Sequence, residues 1–153
     1  FFYHFPTKEA LALAYLEDLH VQEAKNLLRF VNKWQKPYDR FLAVIKFIEP
    51  WIKTNKLRGC GFLNMVSEVP DKQSPLRKMA KKHYEVLGGL IAQLTQELIA
   101  SDPKLYRHLD VSVVTNSYLV IVVGAISLSE TSQNAQPAHE SVKAVESLIH
   151  SSQ

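Results

Sequence analysis

The chain has 153 residues, 46% apolar and 22% charged, the balance of a single globular domain with a sizeable core. A formal net charge of +3 is too small to demand an acidic partner, and one cysteine, Cys60, excludes an internal disulfide and fits a reducing cytosol. The most apolar run, Tyr118 to Ile126, is shorter than the roughly 18 residues that span a bilayer, so a cytoplasmic protein without a membrane partner is expected.

Five glycines and seven prolines, most of the prolines at segment edges, predict an all-α chain. The first helix is expected from about Lys8 to Lys33. Thr7 precedes it as an N-cap whose hydroxyl can accept a free backbone N–H, and Glu9 sits where the helix dipole favours negative charge. A second starts near Pro37, with Phe41, Val44, Ile45, Ile48 and Ile52 on one face. Pro50 is expected to kink or end it, because proline lacks the N–H that continues the ladder. A short helix from about Cys60 to Val69 should stop before Pro70.

Ser74-Pro75 is an N-cap followed by proline at the first helical position. Leu76, Met79, Ala80, His83, Leu87, Leu90, Ile91, Leu94 and Leu98 then form one stripe, with Lys78, Lys81, Lys82 and Glu85 off it. Asp102-Pro103 repeats the start signal and predicts a helix to about Ser129. Its run Leu119-Val120-Ile121-Val122-Val123 suits a buried strand on local evidence, but no turn separates it from Pro103 and no second strand exists to pair with it. As a helix it is apolar nearly all round, so one side faces its own core and the other needs a partner, most simply a second copy of the chain. A last helix is expected from about Pro137 to His150.

Phe1-Phe2-Tyr3-His4-Phe5-Pro6-Thr7-Lys8-Glu9-Ala10-Leu11 resembles the junction in TetR-family transcriptional regulators where the recognition helix ends, the chain turns, and the next helix begins. Arg58-Gly59-Cys60-Gly61-Phe62-Leu63-Asn64 resembles the Gly-Cys-x-x-x-Asn stretch of many effector domains in that family. The resemblance implies that residues 1–7 are the end of a helix-turn-helix unit and residues 8–153 an effector-binding and dimerisation domain. It also implies that Tyr3, His4 and Lys8 touch DNA phosphates in the intact protein, contacts that position without reading bases. Base-reading residues would lie before Phe1, so this chain alone is expected not to bind DNA specifically.

The function implied is a ligand-relieved repressor acting as a homodimer on operator DNA. The pocket is expected among the second to fifth helices, from Phe41, Ile45, Phe62, Met65, His83, Leu87 and Asn116, an apolar wall with a few polar groups. With Trp34, Trp51, Tyr84 and Tyr118 also present, the expected ligand is apolar or aromatic. The dimer interface is expected to use Tyr118, Ile121, Val122, Ala125, Val142, Val145 and Ile149 on the last two long helices. Cys60 with Arg58 nearby offers an alternative, a redox or electrophile sensor; a helical interaction module without a ligand is another.

No enzyme is predicted. Ser and His are present, but nothing arranges them as nucleophile and base, and there is no Gly-rich phosphate loop. Glu17-x-x-His20 has the i, i+3 spacing of a metal-binding bundle but lacks the second such pair, so it is read as a solvated helix face. No metal and no cofactor are expected.

Overall fold

The computed structural model describes residues 7–150, which form seven helices: α1 (Lys8–Val31), α2 (Pro37–Thr54), α3 (Gly61–Glu68), α4 (Pro75–Ser101), α5 (Pro103–Tyr106), α6 (Val111–Ser132) and α7 (Gln136–Ile149). The described residues contain no strand, so the fold is all-α and the β-branched run 119–123 is helical. The start signals work locally. Thr7 Oγ1 accepts from Ala10 N at 3.0 Å, Ser74 Oγ from Leu76 N at 3.2 Å and Asp110 Oδ1 from Val113 N at 3.0 Å.

Of the two outcomes expected at Pro50, an end is excluded: Pro50 lies inside α2, which continues to Thr54. Pro50 and Lys46, whose carbonyl loses its helical partner, are both exposed, so water can satisfy that carbonyl. One boundary is corrected: the single helix expected from Pro103 to Ser129 is two, for α5 ends at Tyr106 and Asp110 caps a fresh start at Val111.

The core lies between α2, α4, α6 and α7, with α1 laid along α2 and α4. α6 and α7 form an antiparallel hairpin whose turn is held by Ser129 Oγ, which accepts from Ala138 N at 3.2 Å. Gln133, in the left-handed region at φ 52°, closes α6 and donates from Nε2 to Leu57 O at 3.1 Å. That bond fastens the α2–α3 loop, where Gly59 has φ +80° and a Cβ there would collide with the Glu130 carboxyl. Gly88 brings α4 close to α6, since a Cβ would stand 3.3 Å from Leu119. Nothing in the structure explains Gly89.

α6 and α2 are joined by an unusual bond. The Tyr118 hydroxyl donates to Phe41 O at 2.7 Å and accepts from Ile45 N at 2.9 Å. Those are the two backbone groups that a regular helix bonds directly, so a side chain from α6 is inserted into the ladder of α2. The ring is fully buried and meets Phe41 edge-on, with centroids 5.1 Å apart.

By length and composition α6 is apolar enough to cross a bilayer, a property of the whole helix that its central run does not reveal. Here it is a core helix: Val114, Tyr118, Val122, Ala125, Ile126 and Ser129 are buried against α2, α4 and α7. Its opposite side is open and mixed: Val113, Val120 and Leu128, at 62%, 72% and 61% exposure, stand among the exposed Asn116 and Ser127.

Candidate functional site

A cavity of about 120 Å³, open to solvent on one side, lies between α1, α2, α4 and α6. That is below the usual range of drug-sized sites and near the size of an apolar cavity that takes one benzene-sized molecule. Ala24, Leu27, Val44, Phe47, Ile48, Leu87, Leu90, Val122 and Ile126 make most of its wall apolar. Leu28 and Val86, each nearly half exposed, lie at its open side. The polar groups are gathered at one place: His20 and Glu23 from α1, Trp51 from α2, His83 and Tyr84 from α4, and Cys60 just before α3.

The periodicity of two helices builds this cluster. His20 and Glu23 are one turn apart on α1 and so share a face. His83 belongs to the apolar stripe of α4 and points the same way as Leu87. Its ring is stacked on Phe62 at 3.9 Å and 8°, and His20 meets it edge-on at 5.2 Å. The two Nδ1 atoms are 3.0 Å apart, so one imidazole donates and the other accepts.

His83 Nε2 is 3.5 Å from Glu23 Oε2, within reach of an ion pair. Yet His83 is neutral at pH 7, because burial pushes its pKa down to about 4, with His20 adding to the effect. Burial also lowers His20, and the nearby Lys82 charge does so further. The Glu23 carboxyl is pushed up to about 7 by burial, against the nearby indole of Trp51, which favours the ionised form. The contact therefore joins a neutral imidazole to an acid that is only part ionised, and no cation balances it.

Of the seven residues expected to line a pocket, His83 and Leu87 do so. Phe62 is buried behind His83 as its stacking partner, and Met65 is half-buried on α3 away from the cavity. Phe41 and Ile45 are fully buried, committed to the junction with Tyr118. Asn116 is exposed on α6, because residue 116 falls two positions before Tyr118 and so on another side of the helix. The expected span of second to fifth helices also missed α1, which supplies His20, Glu23, Ala24, Leu27 and Leu28, while α3 supplies no lining residue.

The residues expected at a dimer interface mostly point inward. Tyr118, Val122, Ala125, Val145 and Ile149 are buried within the chain, Val122 on the cavity itself; Ile121 and Val142 are half-buried. An all-round apolar helix does not declare which side is the core, and the outer side proves to be that of Val113, Val120 and Leu128. Lys8 is exposed at the first turn of α1; Tyr3 and His4 lie outside the described residues.

Cys60 is buried, and burial pushes its thiol pKa up, which the hydroxyl of Tyr84, donating to Sγ at 3.1 Å, only partly offsets. Arg58 is exposed and does not activate it. A thiol so placed lacks the thiolate character of a reactive sensor. No group of three or more His, Cys, Asp or Glu residues converges on a possible metal position among the described residues.

Residues 37–145 match the family described as tetracyclin repressor-like, C-terminal domain. That is more than two thirds of the chain. The protein belongs to the TetR family. No curated protein and no solved structure matches the chain. Family membership makes this a TetR-type regulator, and the match places α2, α3, α4, α5, α6 and most of α7 in the C-terminal domain. The matched stretch begins at Pro37, the first residue of α2, so the cavity is shared between this domain and the helix that leads into it.

Proposed function

We propose that this chain is the effector-binding and dimerisation part of a transcriptional repressor, whose hold on operator DNA is relieved when a small, largely apolar ligand fills the cavity. One observation carries the reading: the cavity wall is shared by α1 and the helices of the family domain. α1 is the helix whose start, at Lys8, the opening sequence joins to a DNA-binding unit. A ligand there touches the connecting helix directly, and it shifts regulation insofar as it binds two tilts of α1 with different affinity. The intact regulator would contact operator phosphates through Tyr3, His4 and Lys8 and work in the cytoplasm. The chain would pair with a second copy through α6 and α7, with Val113, Val120 and Leu128 as the central apolar stripe of α6.

A thermal-shift screen tests the ligand reading. Apolar and aromatic compounds should raise the melting temperature, by mass action on the folded state, and Leu87→Trp, which fills the cavity, should remove the response. Shifts from polar metabolites alone would overturn it. Sedimentation at micromolar concentration should show a dimer; a monomer would sink that part.

A further inference from the structure

We propose that the cavity selects a ligand with an apolar body and one protonated amine, and that the Glu23 carboxylate is its counter-ion. The inference rests on the ligand-binding reading above and gives it a chemical class.

Glu23 is the one acidic residue on the cavity wall, and no lysine or arginine accompanies it. The groups that face it are accounted for from each element. His83 of α4 is 3.5 Å away and neutral at pH 7, and the Trp51 indole of α2 lies nearby without bringing charge. His20 of α1 bonds His83 instead, and its own ionisation is disfavoured by burial and by Lys82. Tyr84 and Cys60 bond one another and stay protonated, since burial raises both. The carboxyl is thus buried to 17% side-chain exposure with no positive partner.

A buried carboxylate without a counter-ion is costly, and a ligand that brings the missing charge removes that cost on binding. An anionic ligand would add like charge beside Glu23, and a neutral one would leave the imbalance in place. The aromatic rings of Trp51 and Tyr84, also on the wall, offer faces that attract an ammonium group. Leu27, Phe47, Ile48, Leu87 and Leu90 suit the ligand's hydrocarbon body.

The proton balance follows. An alkylamine, with a pKa like that of a lysine side chain near 10.4, stays protonated at neutral pH. Glu23, with its pKa near 7, must be ionised to receive it, so binding at pH 7 releases part of a proton to solvent.

The test compares octylamine, octanol and octanoate by calorimetry and thermal shift, on the unaltered chain and on Glu23→Gln. Octylamine should bind the unaltered chain about tenfold or more tighter than octanol, with octanoate weakest, as expected for gaining or losing one charge pair in a partly buried site. Its affinity should rise by up to roughly tenfold from about pH 6 to about pH 8, following ionisation of Glu23. In Glu23→Gln the preference for amine and the pH dependence should vanish while octanol still binds, which also shows that the variant is folded. Octanol binding as tightly as octylamine, or an amine preference that survives Glu23→Gln, would overturn the proposal and leave the ligand reading standing. Binding by none of the three would overturn both.

Discussion

The Tyr118 hydroxyl and the Glu23 carboxyl are both polar groups inside the helical body, and their surroundings differ in kind. The Tyr118 hydroxyl donates one bond and accepts one, at 2.7 and 2.9 Å, and its ring is packed on every side. Glu23 lies near an indole and a neutral imidazole, faces empty space, and is pushed toward its protonated form. A saturated polar group in a filled core specifies how two helices meet. An unbalanced one at the edge of a cavity leaves an interaction free for something that is not part of the chain.

The contrast can be broken most severely at Tyr118. Replacing it with Ala should cost about 3–5 kcal/mol, as for other large buried rings, because it empties a site that the fully buried neighbours Phe41 and Ile45 cannot fill. Denaturant unfolding would measure this, and a loss below about 1 kcal/mol would mean that the α2–α6 junction is not structural.

The polar cluster should show itself through pH. Glu23 has a folded pKa of about 7, above its ordinary 4.5, so its contribution is present below pH 4.5 and is lost as pH rises through 7. His83 has a folded pKa of about 4, below its ordinary 6.5, so its contribution is present above pH 6.5 and is lost as pH falls through 4. Each is of the order of 3 kcal/mol from the size of the shift, and the two oppose each other across nearly the same range. These two contributions should therefore nearly cancel between about pH 4 and pH 7, leaving the rise with pH that the lowered His20 and Glu49 give. Relative to the unaltered chain, Glu23→Gln should gain stability as pH rises through that window, and His83→Gln should lose it. Parallel profiles for all three would refute the opposition.

A smaller effect separates hydrogen bonding from packing in the first region. Tyr118→Phe keeps the ring, and Ile45 N can then close directly on Phe41 O, so the loss should be about 1 kcal/mol. A loss as large as that of Tyr118→Ala would mean that α2 cannot close its own ladder. The smallest effect on the fold belongs to the outer side of α6. Val120→Glu should change protomer stability by no more than about 0.5 kcal/mol, since Val120 is 72% exposed, yet it should weaken self-association in sedimentation. An unchanged dimer would place the interface elsewhere.

The helices were legible because their signals are local. Thr7, Ser74 and Asp102 cap helices that begin just after them, and the stripe from Leu76 to Leu98 holds most of the buried face of α4, which Gly88 and Thr95 complete. Elsewhere a local signal does not decide the structure. Pro50 does not end α2, because its cost depends on whether water reaches the freed carbonyl, and exposure is decided by the neighbouring helices. Asp110 restarts a helix that looked continuous from Pro103. In α6 the apolar residues run all round, so the pattern does not tell that Tyr118, Val122 and Ala125 are buried within the chain.

The candidate site was legible in halves. His83 and Leu87 stood out on one stripe, but Glu23 passed unnoticed, because a single acid on a mixed helix face looks solvated. Its signal was His20-x-x-Glu23, one turn apart on a long helix with apolar residues on several sides, and it gains meaning only when α4 brings His83 against it. What the sequence by itself determined was the all-α class, most of the helix starts and the family resemblance, all carried by residues within a turn or two of one another. Only the tertiary structure decided which side of α6 is core, that Tyr118 enters the ladder of α2, and that Glu23 is buried without a counter-ion. Those facts depend on contacts between different helices, 63 positions apart for His20 and His83 and 73 for Ile45 and Tyr118, and on the exclusion of water between helices, which no local pattern encodes.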